Sequence, residues 1–143
     1  MSDDFYQKIR VDIRKWLQTK AGKGYKWSEY LLLAPDLFHL LTKLAIDKDV
    51  PNNEKAKIAG ALAYFISPID LVPEAMFGPV GYLDDVALAA YVINSILKNN
   101  DSEIVTRHWA GEQDVLELVQ QVVDVGAEML GNKLWDKLRK IVQ

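Results

Sequence analysis

Residues 64–85 read YFISPIDLVPEAMFGPVGYLDD and join two strongly apolar segments of the chain. The stretch holds three of the five prolines in the protein and two of its eight glycines. Proline fixes the backbone φ angle and glycine allows a tight turn, so a link of this composition restricts how its two flanks can be arranged. We therefore expect it to hold two neighbouring elements in a fixed geometry.

Those flanking elements are predicted to be α-helices. Apolar residues recur every three to four positions, which predicts helices at about 54–66 and 83–98. The second is apolar almost all round from Val86 to Ile93, and this is typical of a helix at the centre of a bundle. Pro35 either kinks a helix or begins a new one that ends near Asp47. No strand alternation is evident, so the sequence predicts an all-α fold. The predicted fold is a compact bundle of about six helices, with the Pro/Gly-rich acidic connection between the third and the fourth helix.

Length and composition point to one domain in a reducing compartment. The chain has 143 residues, half of them hydrophobic, and this suits a single helical domain spanning residues 1–143. Cysteine is absent, which excludes disulfides and thiolate metal sites. The acidic N-terminus does not resemble a signal peptide, and the longest uncharged helical run, Val86 to Leu97, is shorter than the roughly 20 residues that span a bilayer. We expect a cytoplasmic protein, which would be located at the inner face of the membrane if it binds lipid.

Four carboxylates lie in the link or at its edge: Asp70, Glu74, Asp84 and Asp85. Three of them can be explained by helix capping, because Asp70 follows a Ser-Pro helix start and Asp84 and Asp85 open the next helix. The alternative is that the link brings the four together, where they would repel one another unless a cation intervened. Mg²⁺ or Ca²⁺ would suit such oxygen ligands. The sequence leaves both interpretations open.

Several linked motifs resemble a known family. They are Asp49-Val50-Pro51, Lys57, Tyr64, Ser67-Pro68-Ile69-Asp70-Leu71-Val72-Pro73 and Gly81-Tyr82-Leu83-Asp84-Asp85. Together they resemble the signature of the YkvA-like domain of unknown function, which often has an acid where Glu74 stands. The resemblance covers about residues 40–97, so that a basic N-terminal helix at 4–19 and C-terminal helices within 113–142 flank it. It implies a small helical domain, bacterial in many cases and adjacent to membrane segments in some members, including a eukaryotic membrane ubiquitin ligase. It implies no reaction.

The N-terminal segment is basic, whereas the body of the chain is acidic. Residues 5–27 contain seven bases and one acid, while residues 28–130 contain six bases and sixteen acids. Bases interleaved with aromatic residues are typical of segments that contact an anionic membrane surface, which is one interpretation of this segment. The alternative is that these bases pair with the acidic body while Phe5, Ile9 and Trp16 pack into the bundle. Nucleic acid is disfavoured as a partner, because the acidic body would repel phosphates. The predicted membrane- or anion-contacting residues are Lys8, Arg14, Lys15, Trp16, Lys20, Lys23, Lys26 and Trp27.

Signs of catalysis are sparse. The two histidines, His39 and His108, lack the spacing of a metal-ligand pair, and no phosphate loop, nucleophile elbow or dinucleotide motif occurs. The sequence therefore favours a non-catalytic helical binding or scaffold module, peripherally associated with membrane, whose partner is an anionic membrane surface or a protein. The alternative is a metal-dependent enzyme that uses Asp70, Asp84 and Asp85. The oligomeric state does not follow from the sequence.

Overall fold

The computed structural model describes residues 2–18, 28–66, 82–109 and 114–141. Over these ranges the chain is helical and contains no strand, and six of its helices have ten or more residues. This confirms the predicted all-α bundle of about six helices. The helices are α1 (Ser2–Leu17), α2 (Ser28–Leu31), α3 (Ala34–Ile46), α4 (Asn52–Ile66), α5 (Tyr82–Asn99), α6 (Glu103–Thr106), α7 (Val115–Leu130) and α8 (Asn132–Ile141).

Pro35 begins a new helix and does not kink a longer one. It lies in the first turn of α3, where a missing backbone N–H costs nothing because that N–H would have no helical partner. The short α2 ends just before it, in a turn closed by the Leu33 N–H donating to the Tyr30 carbonyl at 3.0 Å. The leucines of α3 face inward, so α3 presents one apolar side to the bundle.

Helix α5 lies at the centre of the bundle, as its composition predicts. Every side chain from Asp85 to Ala90 is buried, and Val92, Ile93 and Ile96 continue the core. Helices α3, α4 and α7 make its main contacts, and α2, α6 and α8 also pack against it. A helix enclosed on all sides needs apolar residues on every face, which explains why α5 lacks a polar stripe.

Helix α1 is held to the bundle through α3. Ile9 and Ile13, one turn apart, are fully buried in the core. Trp16 and Leu17 are partly buried against the same core. The apolar side of α1 is therefore occupied by the protein's own interior. None of the described helices is long and apolar enough to cross a membrane.

The C-terminal helices form a tight pair that also packs on α5. Gly131, with a φ angle of +86°, makes the sharp turn between α7 and α8. A Cβ atom at Gly126 would lie only 3.0 Å from the Trp135 indole, so glycine is what lets α8 approach α7. The Trp135 ring in turn meets Tyr91 of α5 edge-on, with ring centres 6.0 Å apart.

Candidate functional site

The predicted acidic site lies mostly outside the described residues. Asp70 and Glu74 fall outside them, and Asp84 is described in its backbone only, as part of the first turn of α5. Asp85 is buried, with 1% of its surface exposed. Among the described residues no group of three or more acids and histidines is arranged to hold a metal ion. The predicted Mg²⁺ or Ca²⁺ site at Asp70, Glu74, Asp84 and Asp85 stays a prediction.

A second buried acid, Glu54, forms a polar bridge between α4 and α5. The Lys57 Nζ donates to the Ser95 Oγ at 3.0 Å, and it lies 3.7 Å from the Glu54 Oε1. The Ser95 hydroxyl lies 3.3 and 3.4 Å from the two Glu54 carboxylate oxygens. Lysine is only a donor in its ammonium form, so Ser95 accepts from Lys57 and donates to Glu54. We call Glu54, Lys57 and Ser95 the polar bridge. Its role is to satisfy a buried carboxylate within the helix interface.

A charged cluster joins the end of α3 to α6. The Asp47 Oδ2 lies 2.6 Å from the His108 Nε2, and the Asp47 Oδ1 accepts the Asp49 backbone N–H at 2.8 Å. The Arg107 Nη1 lies 3.0 Å from the Asp49 Oδ2 and 3.5 Å from the Asp47 Oδ2. The backbone hydrogen bond from Asp49, together with the His108 hydrogen bond, holds the pKa of Asp47 below its usual range. The cluster fixes the turn that precedes α4.

A small cavity separates α1 from the start of α3. Its volume is about 260 Å³, and Tyr6, Arg10, Arg14 and Asp36 provide its polar lining. The Tyr6 hydroxyl donates to the Asp36 Oδ1 at 3.2 Å, and the Arg10 guanidinium lies 5.6 Å from the centre of the Tyr6 ring. Burial, and then the neighbouring Asp36 charge, raise the pKa of Tyr6, so its phenol stays a neutral donor. We call this space the arginine cavity. Neither the arginine cavity nor the polar bridge could be predicted from the sequence.

Half of the predicted membrane- or anion-contacting residues can be placed. Lys8, Arg14 and Lys15 are exposed on α1, and we call these three the α1 basic face. Lys8 also forms an exposed ion pair with Asp12 at 3.2 Å. Trp16 is partly buried against the core, as the alternative interpretation of this segment expects. The other four, Lys20, Lys23, Lys26 and Trp27, lie outside the described residues.

Comparison with known families agrees with the resemblance found in the sequence. Residues 54–91 match the family described as "Protein of unknown function (DUF1232)". This confirms the predicted relationship to the YkvA-like domain. The matched segment begins at Glu54 of the polar bridge and runs through α4 and the link into the first half of α5.

Individual relatives differ in how much of their own length matches this chain. "Uncharacterized protein ORF9" of Methanothermobacter thermautotrophicus is 27% identical over 99 residues, which are 69% of this chain and 68% of that protein. "E3 ubiquitin-protein ligase RNF170" of Danio rerio is 43% identical over 56 residues, which are 38% of this chain and 20% of that protein. The same ligase of Xenopus laevis is 55% identical over 29 residues, which are 20% of this chain and 11% of that protein.

These likenesses concern a domain and not an activity. The matched segment is a small part of each ubiquitin ligase, so ligase activity belongs to those proteins as wholes. The relatives named here are archaeal and vertebrate, and the bacterial occurrence implied by the resemblance stays a prediction. No solved structure matches the chain.

Proposed function

We propose that the chain is a non-catalytic helical binding module that docks on an anionic membrane surface through α1. The observation that carries this proposal is the division of α1 into two sides. Ile9 and Ile13 are buried in the bundle, whereas Lys8, Arg14 and Lys15 are exposed. The bundle thus presents a basic surface on α1, while residues 28–130 contain six bases and sixteen acids.

Docking of this kind is electrostatic and superficial. A lysine or arginine near an anionic surface contributes about 1 kcal/mol, and the attraction decays over a Debye length of about 8 Å at physiological salt. The three bases of the α1 basic face together supply at most about 3 kcal/mol, and less because Asp12 offsets Lys8. Val11 adds the only large apolar side chain exposed on the described part of α1. Binding is therefore expected to be weak at physiological salt and stronger at low salt.

Vesicle flotation tests the proposal with a matched pair of charge reversals. One variant carries Arg14→Glu and Lys15→Glu on α1. The control carries Lys133→Glu and Lys137→Glu on α8, which are also exposed and change the net charge equally. We expect the wild type and the control to float with phosphatidylglycerol vesicles, and the α1 variant to stay in the soluble fraction. Equal flotation with pure phosphatidylcholine, or equal loss in both variants, would refute docking through α1.

The alternative function is a metal-dependent enzyme built on Asp70, Asp84 and Asp85. What supports it is the sequence, which places these three carboxylates in or beside one Pro/Gly-rich link, and carboxylate oxygens are ligands that Mg²⁺ and Ca²⁺ prefer. Calorimetric titration of the folded chain with Mg²⁺, Mn²⁺ and Ca²⁺ separates the two functions. If no heat of binding is detected and the melting temperature is unchanged, the hypothesis of a metal-dependent enzyme is refuted.

A further inference from the structure

The arginine cavity has the chemistry of an oxyanion site. Arg10 and Arg14 are four residues apart on α1, so their side chains lie on one face of the helix, and both line the cavity. Guanidinium groups bind phosphate oxygens through paired N–H donors, which makes arginine better suited than lysine to hold a phosphate in a fixed orientation. Building on the proposed membrane docking, we infer that this cavity binds the phosphodiester group of a lipid headgroup.

The charge of the lining favours a diester over a monoester. Two arginines and Asp36 give the cavity one net positive charge. The single charge of a phosphodiester is thereby balanced, whereas a phosphate monoester carries nearly two charges at neutral pH and would face the Asp36 carboxylate with one in excess. Tyr6 does not change this net charge, because its hydroxyl only donates a hydrogen bond to the Asp36 carboxylate.

Size and position also suit a headgroup. The volume of about 260 Å³ falls just below the range for drug-sized ligands. That space holds a phosphate with an adjoining glycerol. Leu32 lines the same cavity and is 47% exposed, so an apolar side chain stands beside the charged ones. Arg14 belongs both to the cavity and to the α1 basic face, which places the cavity beside the surface proposed to meet the membrane.

Titration with soluble headgroups tests the inference without a membrane. The probes are glycerophosphoglycerol, a monoanionic diester, and glycerol 3-phosphate, a monoester, with binding followed by NMR chemical shifts. We expect the diester to bind more tightly than the monoester. Arg10→Gln is expected to weaken diester binding about tenfold, the loss of one charged hydrogen-bonding partner. Lys43→Gln is the control, because Lys43 is exposed on α3 and does not line the cavity, and the diester affinity of this variant should stay at the wild-type value.

A second variant tests the selection by charge. Asp36→Asn keeps an oxygen that can accept the Tyr6 hydroxyl, while the net charge of the lining rises to two. We expect this variant to prefer the monoester. Equal binding of the two probes by the wild type, or no change of preference in Asp36→Asn, would overturn the charge argument. Unchanged melting curves show that each variant is folded.

The outcomes separate this inference from the proposed function. Diester binding that Arg10→Gln weakens, without flotation on anionic vesicles, would support the cavity and refute membrane docking. Flotation that the α1 charge reversal abolishes, with no detectable binding of the diester, would support docking and refute the cavity as a phosphodiester site.

Discussion

Replacing Lys57 by methionine should expose how strongly the polar bridge depends on its cation. Methionine keeps most of the aliphatic stem of lysine and removes the ammonium group. The Glu54 side chain is 2% exposed and that of Lys57 is 29% exposed, so the carboxylate stays buried when its cation is lost. Ser95 alone would then be left to satisfy it from α5. The variant therefore tests the cost of a buried charge whose opposite charge has been removed.

The magnitude follows from the distance and the exposure. At 3.7 Å and an effective dielectric constant of about 20, the Coulomb attraction between Lys57 and Glu54 is about 4 kcal/mol. The partial exposure of Lys57 to water screens this attraction and reduces its value. We expect Lys57→Met to lower the free energy of unfolding by about 2–3 kcal/mol, which is about 6–10 °C in melting temperature for a chain of this size.

Urea denaturation of a double-mutant cycle is the assay. Adding Glu54→Gln to Lys57→Met removes the orphaned charge, and the neutral amide can still accept from Ser95, so the double variant should regain at least about 1 kcal/mol over Lys57→Met. Lys55→Met is the control: on the same helix, Lys55 forms no ion pair among the described residues, and its loss should stay within about 0.5 kcal/mol. A Lys57→Met variant as stable as the control, or a double variant whose loss is the sum of the single losses, would refute the coupling.

Two further predictions concern packing and pH. Gly126→Ala gains about 1 kcal/mol in helix propensity but forces a Cβ atom against the Trp135 indole, 3.0 Å away. We expect the free energy of unfolding to fall by about 1 kcal/mol and the near-UV circular dichroism signal to change. A stabilised variant with an unchanged signal would contradict the close approach of α7 and α8. The pKa of Asp47 is lower in the folded chain than its value of 3.8 in the unfolded chain. The ionised carboxylate therefore stabilises the fold fully above pH 3.8, and this stabilisation is lost as the pH falls through the pKa of the folded chain. Urea melts should show a deficit of Asp47→Asn that is full at neutral pH and shrinks below about pH 4, and a deficit independent of pH would refute the ionic role of Asp47.

The helices could be predicted because their signals are local. The helices expected at about 54–66 and 83–98 are observed as Asn52–Ile66 and Tyr82–Asn99. The central position of α5 followed from its lack of charge between Val86 and Ile93, since a helix without a polar face is stable only when enclosed. At Pro35 the sequence allowed both a kink and a new helix. The structure decides for the new helix, which accommodates the missing N–H in its first turn.

The polar pairs could not be predicted, because they depend on which helix faces meet. Ser95 and Glu54 are 41 positions apart, and His108 and Asp47 are 61 positions apart. Only the spacing of Glu54 and Lys57, three residues apart on a helix, was visible in the sequence, and that spacing is common on solvated surfaces. The arginine cavity likewise needs α1 to lie against α3, a contact fixed by the burial of Ile9 and Ile13.

The proposed binding surface and the family segment occupy different parts of the chain. The α1 basic face and the arginine cavity draw on residues between 6 and 36, whereas the family match spans residues 54–91. Helix α3 connects the two, because it packs against α1 and also against α4 and α5. The family segment would then act as the scaffold that fixes α3, and α3 in turn fixes the position of Arg10 and Arg14. The proposed lipid binding would then be a property of the helices that precede the family segment, and a relative that shares only that segment is expected to keep the scaffold without the lipid site.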